Sequence, residues 1–199
     1  MKTTFSVESS QVMKHGYTSM ILKQNNSPNN GSHADHLAQL NSNLRSLSTT
    51  VFWDSKVVLV DFLEGQKTVT RAYYVEVLRK LRAELVKKCP GKLHCGILFH
   101  HDNTPAHSSR VVKDVLREFR WELLPHPPYS PDLAPSDFFL FPKLKEQLKG
   151  VRFNSTVEAK TTAKAWLTKR SADFFENGLK GWKHHLEKCI NLDGGYVEK

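Results

Sequence analysis

Phe99-His100-His101-Asp102-Asn103-Thr104-Pro105-Ala106-His107 is the first of two phrases on which the fold turns. The second is Tyr129-Ser130-Pro131-Asp132-Leu133-Ala134-Pro135-Ser136-Asp137-Phe138-Phe139-Leu140-Phe141. Gly96 to His100 is a short apolar run of strand character, so Asp102 leaves the carboxyl end of a buried strand. Pro125 to Pro135 holds five prolines in eleven residues, which predicts an extended, stiff loop. Ser136 then serves as a helix cap, and Asp137 opens the helix. The two aspartates have 34 residues between them in the chain. Carboxylates at the ends of rigid elements suit hard divalent cations, and ligands of α/β sheets collect at such strand ends. Each acid also has a plainer account. Asp-Asn-Thr-Pro is good turn chemistry, and a helix N-terminus favours an acid by about 0.3–1 kcal/mol. Neither turn nor cap chemistry demands the long flanking phrases.

Outward from these phrases the chain alternates strands and helices. Val51 to Trp53 and Val57 to Leu63 read as two strands joined at Asp54-Ser55-Lys56. Thr70 to Lys88 places Tyr74, Val77, Leu78, Leu81 and Leu85 on one helical face, and Pro90-Gly91 ends that helix. Ser108 to Phe119 is a helix with Val111, Val112, Val115, Leu116 and Phe119 inward; Trp121 to Leu124 is a strand. The helix from Ser136 is interrupted or turned at Pro142 and runs to Leu148; Glu158 to Leu167 and Phe174 to Cys189 are further helices. This order predicts α/β architecture, helices layered on a mixed sheet. The first 50 residues differ. Gln24 to Ser32 has the composition of a flexible linker, Tyr17 to Leu22 reads as a short strand, and His36 to Leu47 as a weak amphipathic helix. The expected division is a divergent, largely flexible segment 1–50 and a domain over 51–199.

A net charge of +9, from 29 basic against 20 acidic residues, points to a polyanion, DNA or RNA before membrane. A solvated basic surface is the alternative. No run approaches the roughly 20 apolar residues of a membrane span. Met1 to Ser10 lacks an apolar secretory core, and Cys89, Cys95 and Cys189 are odd in number, so a reducing compartment is expected. The spacing of Cys89 and Cys95 is not that of a zinc finger.

Around the acids, His107 either orients Asp102, touches a phosphate, or is a polar residue at a helix start. His100 and His101 are weaker metal candidates, because hard cations prefer oxygen. Asp132 reads as a turn residue. Lys143, Lys145 and Lys149 either hold phosphates or form a solvated face.

The two phrases resemble those of mariner-type transposases. So do Val51-Phe52-Trp53-Asp54, Trp121-Glu122-Leu123-Leu124-Pro125-His126, and the closing Phe174-Phe175, Gly178-Leu179, Trp182, Cys189-Ile190 and Gly195-Tyr196-Val197-Glu198. The resemblance covers roughly residues 51 to 199 and implies an RNase H-like fold. It implies three aspartates holding two Mg²⁺ or Mn²⁺ ions for DNA cleavage and strand transfer, with Asp102 and Asp137 as the second and third. It also implies transposon-end DNA as partner, a homodimer as the assembly and a nuclear location.

The first acid has no counterpart. The family carries it in a Gly-Asp-Glu phrase some forty residues before the position of Trp53. Here Met13 to Phe52 holds only one acid, Asp35, in Ser-His-Ala-Asp-His. A family helix-turn-helix region is likewise absent from these residues, Thr104 stands where Ala is usual, and no Gly follows Lys56. The first strand of the fold is central, so its loss would leave buried backbone groups unpaired, at about 1–3 kcal/mol each. Tyr17 to Leu22 is the replacement on offer. The expectation is an RNase H-like domain with its first strand missing or replaced. It descends from a metal-dependent transposase and endonuclease but lacks cleavage activity; the alternative is a DNA-binding or dimerisation remnant.

Overall fold

The computed structural model describes residues 19–21, 48–64 and 68–192. The strands are β1 (Ser19–Ile21), β2 (Thr49–Trp53), β3 (Val57–Phe62), β4 (Ile97–His100) and β5 (Trp121–Leu124). They form one sheet in the order β3-β2-β1-β4-β5. β1 therefore fills the central slot, antiparallel to β2 and parallel to β4, with Ser19, Met20 and Ile21 opposite Leu98, Phe99 and His100. The strand expected to be missing or replaced is replaced, by the segment the sequence offered. The pairing supplies partners to the inner edges of β2 and β4. The predicted linker at 24–32 and helix at 36–47 lie outside the described residues.

Alternation along each strand sends side chains to two cores. Phe52, Phe99 and Trp121 face α1 (Arg71–Lys88), α2 (Pro90–Cys95) and α3 (Arg110–Glu118). Val51, Trp53, Leu98 and Leu124 face α4 (Phe141–Leu148), α5 (Thr156–Thr168) and α6 (Ala172–Asn191). α1 buries the five predicted apolar residues, and Thr70 caps it by accepting from Tyr73 N–H at 3.2 Å. Pro90-Gly91 ends α1 as expected, yet Pro90 also starts α2, since a proline in a first turn forfeits no helical bond. Val111 is half exposed, not inward; the face of α3 that meets the core carries Val112, Val115 and Leu116.

Gly178 of α6 serves close packing. A Cβ there would stand 2.6 Å from a Phe139 ring carbon and 3.1 Å from Trp53. Its absence lets α6 approach the sheet where Phe175 packs on Trp53, ring centroids 5.5 Å apart. The β2–β3 turn lacks its expected Gly and closes through a side chain. Asp54 Oδ1 accepts from Lys56 N–H at 3.0 Å and from the Ser55 hydroxyl at 3.2 Å.

Candidate active site

One row crosses the sheet: Val57, Trp53, Ile21, His100 and Leu124 are successive partners from β3 to β5. β1, β4 and β5 run parallel, so their carboxyl ends share one edge. Asp102 lies two residues beyond that row. Its Oδ1 accepts from Thr104 N–H at 3.2 Å, the Thr104 hydroxyl at 3.0 Å and His107 Nδ1 at 2.5 Å. A carboxylate only accepts, so the proton of that last bond belongs to Nδ1 of His107. Burial opposes the charge on Asp102, but the bond and charge of His107 and the Thr104 donors outweigh it. They hold the carboxyl at about 2, below its ordinary 3.8.

His107 is 1% exposed, with its ring centroid 4.0 Å from that of Tyr74. Of the expected roles, orienting Asp102 is the one the geometry carries. An imidazole so enclosed does not reach a phosphate. Thr104, the departure from the family's Ala, gives Asp102 a hydroxyl donor that alanine lacks.

The other histidines hold the turn from below. His100 Nε2 and His126 Nδ1 are hydrogen-bonded at 3.1 Å, and the His100 ring packs 5.0 Å from Trp182. His101 Nδ1 is bonded to the Tyr74 hydroxyl at 3.1 Å. Burial, with the neighbouring imidazoles, pushes His100 well below the ordinary range. Burial and His107 push His101 to about 3. Both stay neutral at physiological pH and act as packing partners. Asn103 Nδ2 donates to the His126 carbonyl, tying the Asp102 turn to the proline loop.

Asp137 lies in the segment that leads into α4. Ser136 to Leu140 forms a π-helical turn before α4, closed by Phe141 N–H donating to Ser136 O. Pro142 lacks an N–H for the Phe138 carbonyl, and a widened turn accommodates that. Ser136 is not the cap. It is fully buried, and its hydroxyl accepts from Trp53 Nε1 at 3.0 Å. Trp182 Nε1 donates to Leu133 O at 2.9 Å. Trp53 thus ties Ser136 to the sheet, and Trp182 links Leu133 to the His100 ring. Asp137 itself is half-buried, its N–H bonded to Ala134 O at 2.7 Å.

Asp132 is a turn residue, in the 3-10 turn Pro131–Leu133, and is buried. Its charge and that of Asp102 both pull upward on His126, against the larger effect of burial. Asp54 lies elsewhere. It is buried and ion-paired at 2.5 Å with Lys92 of α2, the helix that leads into the opposite end of β4. Lys143, Lys145 and Lys149 are exposed, with Lys143 paired to Glu146 at 3.0 Å. Arg110, 94% exposed at the start of α3, and Lys113, whose charge is felt by His101, were not singled out by sequence. Both follow the Asp102 turn directly.

Among the described residues, the donor set does not fit a two-ion centre. Among the described residues no three His, Cys, Asp or Glu side chains stand together so as to hold a metal. Central strand β1 contributes Ser19, Met20 and Ile21. One oxygen of Asp102 already receives three protein hydrogen bonds.

A family model described as transposase (partial DDE domain) matches residues 26–95. A solved structure of the Mos1 transposase catalytic domain with raltegravir and Mn superposes with a TM-score of 0.80 at 30% identity, covering 99% of this chain and 94% of that one. The chain belongs to the mariner transposase family. The Mos1 mariner transposase of Drosophila mauritiana is 38% identical over 151 residues, 74% of this chain and 44% of that protein. The histone-lysine N-methyltransferase SETMAR of Homo sapiens is 27% identical over 156 residues, 77% of this chain and 23% of that protein. This mariner chain thus spans less than half the length of either curated relative. A Mos1 strand transfer complex also matches, with a TM-score of 0.79 at 30% identity, over 99% of this chain and 61% of that one.

Proposed function

We propose that this chain binds DNA through phosphate contacts at the carboxyl edge of its sheet and does not cleave it. Asp102 and Asp137 are the second and third acids of the family's set, and the first is absent. The observation that carries this is β1, which occupies the central slot with Ser19-Met20-Ile21 and no carboxylate. Two acids bring −2 against +4 for two Mg²⁺, and two-ion phosphoryl transfer needs both ions placed on the same phosphate. Asp54, in the β2–β3 turn, faces Lys92 at the wrong end to substitute, and Asp61 of β3 is paired with Lys80.

DNA binding is supported by the +9 charge and by Arg110 and Lys113 in the first turn of α3. The lysines of α4 extend the basic surface. We assign residues 51–199 to the partial catalytic domain and 1–50 to a divergent segment that lends β1 and the first residues of β2 to its sheet. Action on DNA implies a nuclear location. The paired-end complexes of Mos1 transposase suggest that a homodimer is the form to test. No helix among the described residues is long and apolar enough to cross a membrane.

The test is a titration of DNA against purified protein across salt. Phosphate-dominated binding predicts a log–log slope of about −3 or steeper, with little preference among sequences. A flat slope, or tight binding to one sequence alone, overturns the proposal.

A further inference from the structure

We propose that a pocket at the amino end of β4 and β5 binds a small planar organic anion, an aromatic ring carrying one carboxylate. This site is independent of the DNA-binding edge: Asp102 follows the opposite, carboxyl end of β4. The pocket has a volume of about 570 Å³ and lies between α1, α2 and the turn that leads from α3 into β5. Small-molecule sites are of this size, roughly 300–1,000 Å³. Leu93, Ile97, Phe119 and Trp121 give it an apolar lining, with Ile97 and Trp121 buried.

Three features set this pocket apart from a plain surface hollow. Arg82 and Arg120 both line it, and neither makes an ion pair among the described residues. The Arg82 guanidinium lies 4.6 Å from the centroid of the Phe119 ring, and such stacking orients its planar fork of donors. Arg120 directly follows the cap of α3, with φ +57° and its N–H donating to Arg117 O at 2.9 Å. Glycine is the usual residue in that conformation, so an arginine there bears strain that glycine would not. Strain of this kind is found at ligand sites. The third feature is Trp121, which is 6% exposed and whose Nε1 donor has no partner among the described residues. A buried donor without an acceptor is uncommon in a native chain, and this one belongs to a residue of the pocket wall.

The ligand chemistry follows from the lining. Two guanidiniums stand against one carboxylate, that of Glu118, so a singly charged anion leaves the pocket balanced. A carboxylate matches the guanidinium fork in shape as well as charge. Phe119 and Trp121 meet edge to face, ring centroids 5.1 Å apart, and aromatic walls of this kind take a flat ring in stacked or edge contact.

The test titrates the full chain with 2-naphthoate, followed by ligand-observed NMR, beside the uncharged 2-naphthalenemethanol. Naphthoate should bind with a Kd below about 1 mM, and the alcohol at least about fivefold more weakly. Arg120→Gly should weaken naphthoate binding by about 5- to 20-fold while the melting temperature holds or rises, because glycine accepts the positive φ. Arg82→Gln, on the facing wall, should weaken it by a similar factor. Glu118→Gln should tighten it by about two- to threefold, since it removes the one opposing charge. Arg117→Ala takes a charge from α3 outside the pocket and should change it by less than about twofold. Naphthoate that fails to bind, binds no better than the alcohol, or binds equally well to Arg120→Gly and Arg82→Gln overturns the proposal. So does an equal loss in Arg117→Ala, which would make the attraction one of general surface charge.

Discussion

His107→Ala should destabilise the chain in a way that fades with acid. The imidazole donates to Asp102 Oδ1 at 2.5 Å and is buried against Tyr74. A hydrogen bond to a charged partner is worth about 1.5–3 kcal/mol, and the vacated volume adds roughly 1 kcal/mol. At neutral pH the loss should be about 3 kcal/mol, a large part of the roughly 5–15 kcal/mol expected of such a domain. The pH dependence follows from the carboxyl. Its folded value of about 2 lies below the ordinary 3.8, so the unfolded chain binds that proton more tightly. The difference corresponds to roughly 2 kcal/mol, present above about pH 4 and lost as pH falls through 2. Removing His107 lifts the carboxyl toward its ordinary value and removes most of that gain. The penalty measured by urea denaturation should therefore shrink between pH 6 and pH 2 toward the packing part. A double-mutant cycle with Asp102→Asn should give a coupling of about 1.5–3 kcal/mol at pH 7. A penalty independent of pH, with coupling under about 0.5 kcal/mol, would refute the assignment of His107 as the residue that fixes Asp102.

Gly178→Ala gains roughly 1 kcal/mol of helix propensity but forces a methyl to 2.6 Å from Phe139. Overpacking costs about 1–3 kcal/mol, so a thermal melt should show no gain and up to ~2 kcal/mol of loss; stabilisation would mean α6 is not tightly seated. Lys92→Ala leaves the buried Asp54 without its cation and should cost about 3 kcal/mol in chemical denaturation. Asp54→Asn should leave DNA affinity within about twofold, and a large drop would bring Asp54 to the DNA edge after all.

Much of this was legible in the chain. The apolar face of α1 and the strand Trp121–Leu124 are read correctly from the chain, as is the strand that leads to Asp102. What escaped has physical causes. β1 pairs over only three residues, too few for any periodic signal, and its place is set by the empty slot between β2 and β4. Ser136 has ideal cap chemistry but accepts from an indole 83 residues away. Asp132 reads as a turn residue and is one, but its burial, with its carbonyl bonded to His185 of α6, has no local signature. The positive φ of Tyr129 has no signature in a residue that usually avoids it.

The central claim is that a mariner sheet without its first acid binds DNA but does not cut it. The direct measurement is nicking of supercoiled plasmid by purified protein with Mg²⁺, and separately with Mn²⁺, beside Asp102→Ala. Wild type and variant should be equally inactive while wild type still binds the plasmid. Metal-dependent nicking by wild type that disappears in Asp102→Ala would contradict the claim and show that another residue of this chain completes the set.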